Sequence, residues 1–158
     1  MRFEPGSGRK HSNMKNKTTP IWYGGQLPGL HLPLEGTLSH HLGIEFVETG
    51  PDYLCGRMPV DERTRQPFGA LHGGASVALA ETLMSYAANL CLERGRKYGV
   101  GLEINANHIR SVRDGWVIGT ARPVHLGATT HVWACEIRDE AGHIVCTSRM
   151  TIAVLQKR

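Results

Sequence analysis

Cysteine is sparse in this chain and follows no pattern: Cys55, Cys91, Cys135 and Cys146 form no CxxC pair and show no metal-ligand spacing. That excludes a zinc ribbon and a disulfide scaffold, and the four residues read as reduced core thiols of a cytoplasmic protein. The histidines are too scattered to complete a ligand set, so neither a metal nor a redox cofactor is expected. No apolar segment follows the basic N-terminus, which argues against a secretory signal. Charge is also lacking over most of the length. Residues 1–20 hold Arg2, Arg9, Lys10, Lys15 and Lys17 against Glu4, so they carry the whole formal charge of +4. The acidic and basic residues of the remainder cancel, which leaves no basic surface for nucleic acid.

With 158 residues, 41% of them apolar and 20% charged, the chain has the make-up of one ordinary globular domain. Residues 1–20 are polar and rich in Gly, Ser and Asn, and are expected to form a disordered leader. Met14 offers an alternative start, which would make 1–13 a cloning remnant. The domain then spans 21–158. Its first part, 21–41, mixes Pro, Gly and aromatics and is expected to drape over the rest, with a helical turn near Gly36–His41.

Two short strands are expected at 43–48 and 53–60, joined by the turn Thr49-Gly-Pro-Asp52. A helix over about 74–92 follows, with Gly95 placed to stop it. The last sixty residues read as four strands, over 98–112, 116–124, 131–138 and 143–155. In the first of these the even positions Val100, Leu102, Ile104 and Ala106 are apolar, so they are expected to face the helix, with His108 continuing the series. The order ββ–α–ββββ has no βαβ alternation and no internal repeat. It predicts an α+β domain, an antiparallel sheet laid against one long helix.

Between His72 and Glu93 the only charged residue is Glu81, in a run that is apolar or small nearly all the way round. Such a helix is expected to be buried on every side. An unpaired carboxylate inside it would cost several kcal/mol, so Glu81 needs a partner or a task. The same residue, with Asn89 and the many small side chains, speaks against a membrane span. Glu81 lies nine residues past His72, roughly 13 Å along a helix axis and turned by about 180°. One chain cannot bring the helix N-terminus and this carboxylate to one atom. Two antiparallel copies can, so a homodimer with shared sites is expected if both groups are functional.

The residues Gln66-Pro-Phe-Gly-Ala-Leu-His72-Gly73-Gly74-Ala-Ser, then Ala78-Leu-Ala-Glu81, Gly101-Leu-Glu-Ile-Asn-Ala-Asn-His108 and His125-Leu-Gly127 resemble the hotdog-fold acyl-CoA thioesterases. The nearest branch is that of 1,4-dihydroxy-2-naphthoyl-CoA thioesterase and the proofreading thioesterase of enterobactin synthesis. The resemblance runs from about Leu42 to Leu155. It implies a hotdog fold, in which the sheet wraps a central helix, and hydrolysis of an aromatic or hydroxyaromatic acyl-CoA in the cytoplasm by a homotetramer of two dimers. Coenzyme A is then part of the substrate, and no cofactor is needed.

By the same resemblance Glu81 acts as general base or nucleophile, and the Gly73 N–H stabilises the oxyanion. Gln66 orients the carbonyl or the water, and His72 lies beside the thioester. Ser85 and His108 are candidate substrate contacts, while His125, Gly127 and Arg110 or Arg122 are candidates for the nucleotide end of coenzyme A. Plainer roles compete for each: a buried Glu satisfied by hydroxyls, a loop Gln, a capping His72, a Ser85 bonded to its own backbone, a core His108, solvated arginines. Two other classes compete for the whole: an acyl-CoA sensor without activity, and a hotdog hydratase or dehydratase.

Overall fold

The charge-poor run folds as a helix, α2, over Gly73–Leu90 in the computed structural model, which describes residues 19–30 and 34–157. The expectations for residues 1–18 lie outside the described residues. Ahead of α2 come a helical turn, α1 (Leu38–His41), and a hairpin of β1 (Glu45–Thr49) and β2 (Leu54–Pro59). After it come β3 (Lys97–His108), β4 (Trp116–Leu126), β5 (Thr130–Asp139) and β6 (Ile144–Gln156). All six strands join one antiparallel sheet in the order β1-β2-β4-β5-β6-β3. This is the expected α+β arrangement, and it leaves β3 at a free edge.

The inner face of the sheet follows the alternation of the sequence. On β5, His131, Trp133, Cys135 and Ile137 are buried while their neighbours are not. From α2, Leu79, Ala80, Leu83, Met84, Ala87 and Ala88 pack against this face. The sheet approaches the helix most closely where Gly56 of β2 stands opposite Gly119 of β4. A Cβ on either would lie 2.7 Å from a methyl of Leu83. The N-terminal segment does drape over the domain. Ile21 N–H donates to the Pro51 carbonyl, the Trp22 indole donates to the Gly50 carbonyl, and Trp22 stacks on Trp133 with ring centroids 6.4 Å apart.

Three expectations need correction. The helix stops at Leu90, because the Cys91 and Leu92 N–H groups turn back to the Ala88 and Asn89 carbonyls; Gly95, at φ 92°, turns the chain into β3 instead. Secondly, β3 has a bulge between Gly101 and Glu103, and the extra residue Leu102 reverses the phase of the strand. Val100 and Leu102 are therefore exposed, while Gly99, Gly101, Ile104 and Ala106 lie on the helix side. His108 keeps its expected side. Thirdly, α2 is buried on only part of its circumference, for Gly74, Glu81 and Asn89 are exposed.

His131 is 3% exposed, and its Nδ1 finds no hydrogen-bond partner. Burial, and then the nearby His125, hold its pKa below 6.5, against a bond to the Gly127 backbone that raises it. The folded state thus keeps this ring neutral while the unfolded chain protonates it, so stability is full above about pH 6.5 and lost as pH falls below. The urea midpoint should drop between about pH 7.5 and 5.5, and His131→Asn should flatten that drop. The glycine pair gives a second test. Gly119→Ala should cost about 1–3 kcal/mol by overpacking and be partly rescued by Leu83→Val. Gly56→Ala should resist the same rescue, because its Cβ would also lie 2.8 Å from the Glu45 carbonyl. Denaturant midpoints of the four variants decide this.

Candidate functional site

His72 caps the N-terminus of α2: its Nδ1 accepts the Gly74 N–H at 2.8 Å. That bond leaves the ring proton on Nε2. The Ala75 and Ser76 N–H groups turn to the His72 carbonyl at 3.0 and 3.2 Å. The Gly73 N–H alone in this first turn has no acceptor among the described residues. It stands free at the positive end of the helix, which favours Gly73 over Gly74 as the donor to a developing anion.

The loop before the helix is held firmly. Thr64, almost wholly buried, bonds the Pro59 carbonyl and the Asp61 N–H, and its own carbonyl accepts the His72 N–H at 2.8 Å. Arg65 donates to the Val60 and Arg113 carbonyls, and Arg113 to the Phe68 carbonyl. Within this frame the Gln66 Oε1 accepts the Phe68 N–H, so its amide nitrogen remains a free donor. Gln66, Gly73, Ser76, His108 and Arg110 line one cleft of about 310 Å³. His108 presses on the helix entry: a Cβ on Gly73 would lie 2.8 Å from its Nε2. Only glycine leaves both the N–H and the ring where they are.

Glu81 lies elsewhere, exposed on the side of α2 beside the free edge; a Cβ on Gly101 would be 3.8 Å from its Oε1. The premise of a carboxylate sunk within one chain is therefore wrong for the protomer. Small residues around a helix mark close approach of another surface, and one sheet covers only one side. Ser85, a turn further on, donates to the Met150 sulfur at 3.8 Å rather than to its own backbone. It belongs to the same face as Glu81, as the spacing required.

Position along the sheet separates the remaining candidates. His108 is opposite Cys146, and Cys146 opposite Ile137, whereas His125 is opposite Val132. The five residue steps from Val132 to Ile137 amount to about 17 Å of strand. Gly101, Ile152, His131 and Leu126 form one row across the sheet, so His125 and Gly127 lie at the level of Glu81. Within each chain Gln66, Gly73, His108 and Arg110 line the cleft at the helix start that His72 caps, and Glu81 and Ser85 lie together further along α2; His125, opposite the outward-facing Val132, stands on the other face of the sheet, with Gly127 just beyond it. Arg122 is already engaged, 2.7 Å from Asp52 and stacked over Tyr53. Ser76, buried one turn into α2, was missed by the sequence reading although its spacing from Gly73 would have placed it at the cleft. Among the described residues no three His, Cys, Asp or Glu gather as a metal site, and no helix is long and apolar enough to cross a membrane.

Residues 68–146 match the Thioesterase superfamily. The chain is 53% identical over 129 residues to a 1,4-dihydroxy-2-naphthoyl-CoA hydrolase of Escherichia coli, a match covering 82% of this chain and 94% of that protein. It is 50% identical to a proofreading thioesterase of Cronobacter turicensis, over 82% of this chain and 93% of the other. A solved thioesterase from Haemophilus influenzae superposes with a TM-score of 0.81 at 47% identity, covering 86% of this chain and 95% of that one. A sheet curled round one helix, shared with thioesterases at about half identity, makes this chain a member of the hotdog-fold thioesterase superfamily and a thioester hydrolase.

Proposed function

We propose that the protein hydrolyses an aromatic or hydroxyaromatic acyl-CoA to the free acid and coenzyme A, at sites shared between two subunits. One observation carries this: the free Gly73 N–H opens into a cleft with Gln66 and His108, while Glu81 faces away from it on a bare side of the same helix. The acyl preference is supported by similarity to a hydrolase named for a hydroxynaphthoyl-CoA.

The chemistry follows from these positions. The thioester carbonyl oxygen accepts from the Gly73 N–H and the Gln66 amide, which strengthens as charge develops on it. Glu81 of the partner subunit supplies the attack, either by taking a proton from water or by adding to the carbonyl itself. The C–S bond then breaks; the His72 Nε2–H hydrogen-bonds to the leaving thiolate, which takes up the proton that Glu81 accepted from water, and on the covalent route a water molecule hydrolyses the acyl–Glu81 anhydride and supplies that proton. Arg110 of one subunit, with His125 and Gly127 of the other, would meet the nucleotide part of coenzyme A. A homotetramer of two such dimers in the cytoplasm completes the proposal.

Incubating the protein with benzoyl-CoA and with an enoyl-CoA tests the reaction. Thiol release from the first supports hydrolysis, loss of enoyl absorbance would instead mean hydration, and no change in either would mean a sensor. Glu81→Gln should lower kcat by ~10²-fold or more while the fold and oligomer persist. Mixing Glu81→Gln with Gly73→Val and allowing subunit exchange should restore roughly a quarter of normal activity, because half the dimers are hybrids with one intact site of two. No recovery despite proven exchange would refute shared sites.

A further inference from the structure

Beside the flank of α2 that carries Glu81, strand β3 presents glycine twice, at Gly99 and Gly101, so the gap between helix and strand is filled from β6. A Cβ on Gly99 would stand 3.0 Å from the Ile152 Cγ2. One on Gly101 would collide with the Met150 methyl and stand 3.8 Å from the Glu81 Oε1. The Met150 Cε and the Glu81 carboxylate thus approach the same point. One turn past Glu81, Ser85 donates its hydroxyl to the Met150 sulfur at 3.8 Å. Two turns past it, Asn89 closes the strip: its Oδ1 accepts the Gly99 N–H at 2.8 Å, and its Nδ2 donates to the Gly99 carbonyl at 3.3 Å. Along about 12 Å of helix, one long flexible side chain therefore occupies the space next to the carboxylate.

We propose that Met150 determines acyl specificity: its thioether fills the space that the acyl ring enters, and it moves aside when the ring arrives. The inference rests on the hydrolase reading above and deepens it by saying where the acyl group goes. A carbonyl carbon attacked by Glu81, or by water that Glu81 activates, holds its acyl group close to that carboxylate. The apolar, movable group there is the Met150 methyl, supplied by the same chain as Glu81. Three properties of Met150 suit the role. Its side chain is unbranched, so it changes shape without a shift of the backbone. It is only 1% exposed and is flanked across the sheet by Ile104 and by the wholly buried Trp133, so it yields along the Gly101 side, where no side chain stands. Finally, the bond it receives from Ser85 goes to a thioether, a weak acceptor. A ring oxygen that replaces the sulfur gains a stronger bond from the same hydroxyl. Ser85 lies about 6 Å past Glu81 along the helix, so the favoured oxygen is one on the far side of the ring from the carbonyl. The substrate class is an aryl thioester with such a remote hydroxyl.

The experiment compares kcat/KM for benzoyl-CoA, 4-hydroxybenzoyl-CoA and 2-naphthoyl-CoA. Met150→Ala should raise the naphthoyl-to-benzoyl ratio by ~10-fold, as expected for methylenes removed from an apolar pocket. Met150→Leu keeps nearly the same core volume, withdraws the methyl by one atom and should fold normally; it should move the ratio the same way by less. Gly101→Ala puts a new methyl into the space Met150 uses and should lower the ratio, and adding Met150→Ala should restore it. Ser85→Ala should lower the 4-hydroxybenzoyl-to-benzoyl ratio by ~5-fold. A direct readout uses isotope-labelled methionine methyls: the Met150 resonance, identified by its loss in Met150→Leu, should shift when a non-hydrolysable thioether analogue of benzoyl-CoA saturates the protein. A wild-type protein that hydrolyses none of the three thioesters overturns the aromatic-hydrolase reading and this inference together. Hydrolysis with ratios unchanged in folded Met150→Leu, or a methyl resonance that stays in place at saturation, overturns the inference alone.

Discussion

Leu83 rests against two glycines that face each other across β2 and β4, and the curl of the sheet about α2 depends on that contact. Any side chain at Gly56 or Gly119 would hold the strands off the helix and open a gap that the small inward residues Ala80, Ala87 and Ala121 are too short to fill. Because the sheet closes tightly on one side, the opposite side of α2 has no strand above it among the described residues. That side carries Gly74, Glu81, Ser85 and Asn89, and it borders the strand that ends the sheet. A fold that buries its helix by half and stops its sheet at an unpaired strand calls for a second surface.

The same geometry separates the groups proposed for catalysis. The helix gathers positive partial charge at its N-terminus and has a single carboxylate on its flank, too far along the axis for the two to neutralise each other within one molecule. His72 sharpens the division. By capping Gly74 it uses one ring nitrogen and one amide, and it leaves the Gly73 N–H unspent on the cleft side. The His108 ring and the Gln66 amide close that cleft, held by β3 and by a loop whose buried Thr64 ties it to the end of β2. Preorganised donors of this kind need no rearrangement when charge appears on a substrate oxygen.

Much of this was legible in the order of residues. Apolar alternation located the strands to within a few residues, the turn residues separated them, and the lone Glu81 marked the helix that matters. The spacing from His72 to Glu81 already implied that the two stand apart along one helix, as they do. Other features were not legible. The bulge at Leu102 leaves no mark in a run that alternates smoothly through it, since the extra residue is defined by β6 opposite. The helix end at Leu90 likewise ignores Gly95, because the last turn tightens before the glycine is reached. Asn89 looked like any polar residue near a helix terminus; its two bonds to Gly99 exist only because β3 returns beside it.

The sequence by itself determined the class of fold, the elements and the chemical identities at the helix start, because periodicity and residue type act locally. Only the tertiary structure decided which faces are covered. Glu81 is exposed in the protomer, Val100 and Leu102 point outward, and His131 sinks into the inner face of the sheet with its Nδ1 unpaired, each for the same physical reason: burial is set by what packs against a surface, and a neighbour across the sheet is not written beside it in the chain.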